Sequence, residues 1–224
     1  MYQACIFDLD GTLADTLASI GGFANQALNV LGYPAIPIEE YRFLVGNGAD
    51  VLMRGMLRRT AGNYTEEDVQ RLRAVYNGLY EADPVRDVQN YPGMPELVAA
   101  LRREQVPAAV LSNKPHNVVC AIVEALFPRE SFRLCYGQRA GVARKPDPEG
   151  ALLIAEELKA PPTHILYIGD TDVDMKTAAA AGMDSVGVLW GFRGREELER
   201  NHACFLAQHP ADILEILHGR PALR

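Results

Sequence analysis

The sequence predicts an α/β protein: a parallel sheet covered by helices on both faces, with a helical segment inserted after the first strand. Three observations carry that prediction. The run Ala4-Cys5-Ile6-Phe7 is short, apolar and partly β-branched, as a buried strand should be, and it ends in Asp8-Leu9-Asp10-Gly11-Thr12. From about residue 15 to 87 the pattern is helical, without a convincing strand. After Pro92-Gly93, short apolar runs alternate with helical periods, as in a sheet whose crossovers are helices.

In chain order, Asp15 or Thr16 caps a first helix whose apolar face is Leu17, Ile20, Ala24, Ala27, Leu28 and Leu31, stopping near Gly32 and Pro34. A second helix runs from Glu39 to Leu44 and is broken by Gly46-Asn47-Gly48. A third carries Val51, Leu52, Met56 and Leu57. Thr65-Glu66-Glu67-Asp68 opens a fourth, with Val69, Leu72, Val75, Tyr76 and Leu79 on one face. The alternating part begins with a helix over 95–103, then the strand 108–112, another helix and a short strand near 134–136. A helix over 148–158, the strand 164–168, a helix from Asp174 and the strand 185–189 complete it. Two domains follow: a core of residues 1–14 and 87–224, and a helical cap of residues 15–86.

Apolar residues make up 48% of 224, enough for a sizeable core. A net charge of −7 argues against nucleic acid as a partner, so an anionic ligand would need local positive charge. Lysine is scarce: Lys114, Lys145, Lys159 and Lys176, against eighteen arginines. Residues 16–38 lack charge, but polar residues and two prolines interrupt them, so a membrane span is not expected. No signal peptide is expected, and Cys5, Cys120, Cys135 and Cys204 are widely spaced, as in reduced cytoplasmic proteins.

Four short motifs carry chemistry. Asp8 and Asp10 reach the carboxyl end of a strand, where open α/β sheets bind ligands. Two carboxylates there suit a divalent cation, or one nucleophile and one acid. Ser112-Asn113-Lys114 follows a strand, placing a hydroxyl and a backbone N–H where a phosphate oxygen can use them. Lys145-Pro146-Asp147-Pro148 precedes a helix. Gly169-Asp170-Thr171-Asp172-Val173-Asp174 follows another strand; it begins like a calcium loop, but Met175 and Ala181 stand where that loop needs glycine and glutamate. Asp172 reads as a helix-start acid.

These four motifs, in this order, resemble those of the haloacid dehalogenase superfamily in its phosphatase branch. The resemblance covers the whole chain and implies a Rossmann-like core with an inserted helical cap. It also implies a Mg²⁺-dependent phosphomonoester hydrolase. By that resemblance Asp8 is the nucleophile, forming an aspartyl-phosphate, and Asp10 is the acid and base. Lys145 holds the phosphoryl group against Asp8, and Ser112 and Asn113 bind its oxygens. Thr12 orients Asp10. The metal falls to the carboxylates of Asp8 and Asp170 and the backbone carbonyl of Asp10, with Asp174 acting from behind. Dehalogenases lack the second acid, phosphonoacetaldehyde hydrolases need a cap lysine, and sugar-phosphate mutases usually carry Val at the position of Thr12. Receiver domains of two-component signalling use similar residues but are about half this length. Val45-Gly46-Asn47-Gly48, Tyr91-Pro92-Gly93, Leu111-Ser112-Asn113-Lys114-Pro115 and Trp190-Gly191-Phe192-Arg193 look most like the phosphoglycolate phosphatase branch, with pyrophosphatases and nucleotidases as alternatives. Asn47 is then a substrate contact in the cap, and Arg42, Arg54, Arg58 and Arg59 can reach a second anionic group. The expected partner is a small phosphorylated metabolite, and the expected assembly a monomer or homodimer.

Overall fold

The computed structural model describes residues 2–219. The outermost residues of the expected core ranges, Met1 and 220–224, lie outside the described residues. The chain divides into two compact units: one up to Asp15 and from Gln89 onward, the other Thr16–Val88.

The first unit is built on a six-stranded sheet in the order β5-β4-β1-β6-β7-β8, with every neighbouring pair parallel. The strands are β1 (Ala4–Phe7), β4 (Ala108–Pro115), β5 (Leu134–Gln138), β6 (Ile165–Gly169), β7 (Asp184–Val188) and β8 (Phe205–Ala207). Helices alternate with them: α4 (Met94–Arg103), α5 (His116–Leu126), α6 (Glu149–Leu158), α7 (Asp172–Ala181), α8 (Arg195–Arg200) and α9 (Pro210–Leu217). β1 is central because its four residues are fully buried and leave no polar side chain to expose on either face. Side chains alternate across it. Ala4 and Ile6 join Ala109, Leu111, Ile154, Tyr167 and Ala178 in one apolar cluster. Phe7 points to the other face, where its ring meets Phe132 edge-on at 6.3 Å. The chain leaves β1 to build outward on one side through β4 and on the other through β6. That makes the carboxyl end of β1 the point where strand order reverses, the place where open α/β sheets bind ligands.

Between β1 and β4 two further strands, β2 (Ala14–Asp15) and β3 (Gln89–Asn90), pair antiparallel as a two-residue ribbon. The insertion enters and leaves through it. The second unit contains α1 (Leu17–Val30), a 3₁₀ turn (Ile38–Phe43), α2 (Ala49–Thr60) and α3 (Glu66–Ala82). Its core is aromatic: Phe23 of α1 stacks on Tyr80 of α3 at 4.6 Å, and the Arg86 guanidinium lies 3.7 Å from the Phe23 ring. Thr65 and Asp68 form the capping box that opens α3, each side chain bonding the other's backbone N–H. The expected helix over 39–44 is a 3₁₀ turn. Arg42, Arg54 and Arg59, each read first as a solvated helix face that could also reach an anionic group, are ion-paired with Glu39, Glu66 and Glu40 of their own unit. Among the described residues no helix is long and apolar enough to cross a membrane.

Ile6→Ala removes a fully buried side chain at the centre of the sheet, between Ala109 and Tyr167. It should lower unfolding free energy by about 2–5 kcal/mol. Thr65→Ala, which loses only a cap, should cost about 1 kcal/mol. Urea denaturation of the two variants checks both figures.

Candidate active site

Three loops after parallel strands meet at the end of β1. Asp8 follows β1 directly, and its backbone N–H donates to the Ile168 carbonyl of β6 at 2.9 Å, which fixes the two strand ends in register. Asp170 follows β6 and Asp174 sits in the first turn of α7. Asp8, Asp170 and Asp174 each place a carboxylate oxygen within 4.8 Å of the others, and all three are buried. Lys145, from the loop before α6, inserts its ammonium among them. Its Nζ lies 2.8 Å from Asp8 Oδ1 and 2.8 Å from Asp174 Oδ1.

The electrostatics follow from this crowding. Burial, followed by the Asp174 and Asp10 charges, pushes the Asp8 carboxyl up to about 7 against the pull of Lys145. Burial, with Asp174 and Asp8, also pushes Asp170 well above the usual carboxylate range. Burial alone would lower Lys145, but Asp174 and Asp8 override it and hold the ammonium charged. Three carboxylates against one ammonium leave two negative charges, which is the deficit a divalent cation fills, and oxygen donors are what a hard cation takes. The residues present fit such an ion.

Each carboxylate has a different set of fixed partners. Asp174 carries three fixed bonds: Oδ1 to Lys145, and Oδ2 to the Thr171 hydroxyl (2.8 Å) and backbone N–H (3.1 Å), closing the capping box of α7. Asp170 accepts from the Thr12 hydroxyl on Oδ1 (3.2 Å) and from the Phe192 N–H on Oδ2 (2.8 Å), leaving a lone pair on each oxygen. The 190–192 loop is itself tied back to the first motif, the Trp190 indole donating to the Thr12 carbonyl at 3.0 Å. Gly11, at φ 80°, and Gly191 make this packing possible. A Cβ on either would lie 2.3 Å from an Asp170 side-chain atom.

The other expected site residues have these partners. Thr12, expected to orient Asp10 and bind substrate, is fully buried with its hydroxyl turned to Asp170. Asn113, expected on the phosphoryl oxygens, also grips Lys145: Nδ2 donates to the Lys145 carbonyl and Oδ1 accepts its N–H, both at 3.0 Å. It clamps the lysine's backbone. Asp10, expected to meet the metal through its backbone carbonyl, turns its carboxylate to Lys114, Nζ lying 2.9 and 3.0 Å from its two oxygens. Lys114 had no assigned role, and only the oddity of a second lysine beside a motif pointed to it. Ser112 is buried at the carboxyl end of β4, its hydroxyl accepting the Lys114 N–H at 3.3 Å. Asn47 belongs to the other unit, where it is exposed ahead of α2. Asp172 begins α7 and pairs with Lys176 at 2.5 Å, as a helix-start acid should.

A profile of haloacid dehalogenase-like hydrolases matches residues 5–188, most of the chain. The chain belongs to this family. Within it, this hydrolase stands among the phosphatases. It is 31% identical over 228 residues to a phosphoglycolate phosphatase of Shigella boydii serotype 4, covering 94% of this chain and 90% of that one. It is 36% identical over 196 residues to one of Rhodobacter capsulatus, covering 86% and 87%. Among solved structures, a provisionally assigned phosphoglycolate phosphatase from Lactobacillus delbrueckii subsp. bulgaricus superposes with a TM-score of 0.91 at 30% identity, covering 96% of this chain and 98% of the other.

Two outcomes follow for the metal-free hydrolase. Asp8 takes its proton near pH 4 when unfolded and near 7 when folded. The folded state therefore binds the extra proton between those values, and its contribution to stability is lost as pH rises from about 4 to about 7. Melting temperature should fall across that window, and saturating Mg²⁺ should flatten the slope. Gly191→Ala, which drives a methyl into Asp170, should weaken Mg²⁺ binding by at least about tenfold in calorimetric titration.

Proposed function

We propose that this hydrolase is a Mg²⁺-dependent phosphomonoesterase that works through an aspartyl-phosphate on Asp8, with phosphoglycolate as its substrate. The observation that carries the reading is Lys145 seated between Asp8 and Asp174 beside Asp170, at the reversal point of the sheet. The substrate comes from the relatives, whose printed names are phosphoglycolate phosphatase. The segment 16–88 is read as a cap domain.

In this reading Asp8 and Asp170 hold the metal through the oxygen lone pairs left to them. Such an ion would supply neutralisation of the negative charge gathered at the site. The remaining work belongs to side chains. Lys145 draws a phosphoryl oxygen towards Asp8 and offsets the repulsion between two anions, the main obstacle to a carboxylate nucleophile. Asp8 Oδ attacks phosphorus and the ester oxygen leaves with a proton from Asp10. Asp10 then removes a proton from water as that water attacks the phosphorus of the aspartyl-phosphate, releasing phosphate and restoring Asp8. Ser112 donates its hydroxyl to a phosphoryl oxygen. Thr12 holds Asp170, Asn113 holds Lys145, and Asp174 keeps the ammonium oriented.

The test is a panel of phosphate esters with Mg²⁺, ranked by kcat/KM. Phosphoglycolate should lead the ranking and excess EDTA should abolish turnover. Asp8→Asn should lower kcat by several orders of magnitude. Asp10→Asn should be nearly as severe on phosphoglycolate but milder on p-nitrophenyl phosphate, whose leaving group needs little acid help. Normal turnover by Asp8→Asn would rule out the covalent route.

A further inference from the structure

Two of the four lysines are buried at the site, and only one is explained by the phosphoryl chemistry. Lys145 serves the carboxylate cluster. Lys114 does not: its partner is Asp10, the residue read as the acid for the leaving group. Both members of that pair are largely enclosed, the side chains being 8% exposed at Lys114 and 18% at Asp10. An ammonium is costly to bury, so its position calls for a reason. Its backbone is anchored as well. The Lys114 N–H donates to Ser112 Oγ, and the next residue, Pro115, is in register with Gln138 of β5.

Resting on the phosphatase reading above, we propose that Lys114 is the specificity residue that receives the carboxylate of an anionic leaving group. The argument is one of reach. A general acid must come within about 2.6–3.2 Å of the oxygen it protonates. Lys114 Nζ lies 2.9 and 3.0 Å from the two oxygens of that acid. In phosphoglycolate the carboxyl carbon stands two bonds from the ester oxygen, about 2.4 Å by ordinary bond lengths. A carboxylate there falls within hydrogen-bond distance of Nζ. A neutral hydroxymethyl group at the same place gives the ammonium nothing it lacks, and an anion several bonds further out lies beyond it. Arg42, Arg54 and Arg59 already have glutamate partners within their own unit. The cation assigned to the leaving group is built into the core, two residues beyond Ser112, and the residue read as binding the phosphoryl group shares a strand with it.

The experiment compares kcat/KM for phosphoglycolate with that for 2-hydroxyethyl phosphate, the same ester with an alcohol in place of the carboxylate. Wild type should prefer phosphoglycolate by at least about tenfold. Lys114→Met should cut that preference by about 10- to 100-fold, the size of one charge-assisted hydrogen bond, mainly through KM for phosphoglycolate. Lys114→Arg, which keeps the charge, should retain most of it. If Lys114 merely positioned Asp10, both esters would lose equally in Lys114→Met, and that result overturns the proposal. A wild type that hydrolyses both esters without preference overturns it too, while leaving the phosphatase reading intact. A wild type inactive on every phosphomonoester refutes the phosphatase reading instead. Should Lys114→Met not fold, Lys114→Gln is judged by the same ratio.

Discussion

Lys145 sets its ammonium among three buried carboxylates, 2.8 Å from an oxygen of two of them, and much of the surrounding structure exists to keep it there. Without it Asp8, Asp170 and Asp174 would repel one another in a medium that screens poorly. Asn113 grips its backbone from β4, Asp174 receives its charge from α7, and the capping box of Thr171 prevents Asp174 from turning away. The order of strands serves the same end. β1, β4 and β6 are neighbours, so the acid of the first motif, the clamp of the second and the acids of the fourth arrive from adjacent strand ends. Lys145 itself enters from the loop ahead of α6.

A net charge of −7 looks ill-suited to an anionic ligand until the charges are located. Lys176 is spent on Asp172 at the surface, and several arginines of the helical unit on its own glutamates. Lys114 and Lys145 are held one to each side of the first motif, by Asp10 and by Asp8. Placement rather than quantity supplies the positive field, because a charge in an enclosed site acts at short range with little screening.

The sheet and its four motifs were legible because each leaves a periodic or punctuated trace: apolar β-branched runs, a glycine turn, a proline at a helix start. The acids stood out for the same reason, being abrupt interruptions at the ends of apolar strands. Partners were much less legible. Nothing in the letters around Thr12 says that its hydroxyl faces Asp170 rather than Asp10, since both lie near it in the fold and only one is near it in sequence. The Phe192 donor is a backbone N–H, which any residue but proline carries. Lys114 pairs with a residue 104 positions away, a distance no local pattern encodes. β2, β3 and β8 are two or three residues long, too short for alternation to register.

The small ribbon of β2 and β3 has a consequence for how such a chain can diversify. Ala14 pairs with Asn90 and Asp15 with Gln89, so the core holds both ends of the 16–88 segment side by side. Closing a longer or shorter loop on ends already joined costs little, since closure entropy grows only with the logarithm of length. The ribbon is a socket: segments of different size and ancestry can be exchanged at it by recombination while Asp8, Lys145 and Asp170 keep their positions. Selection can then act on the inserted segment and the phosphoryl-handling core as separately heritable parts.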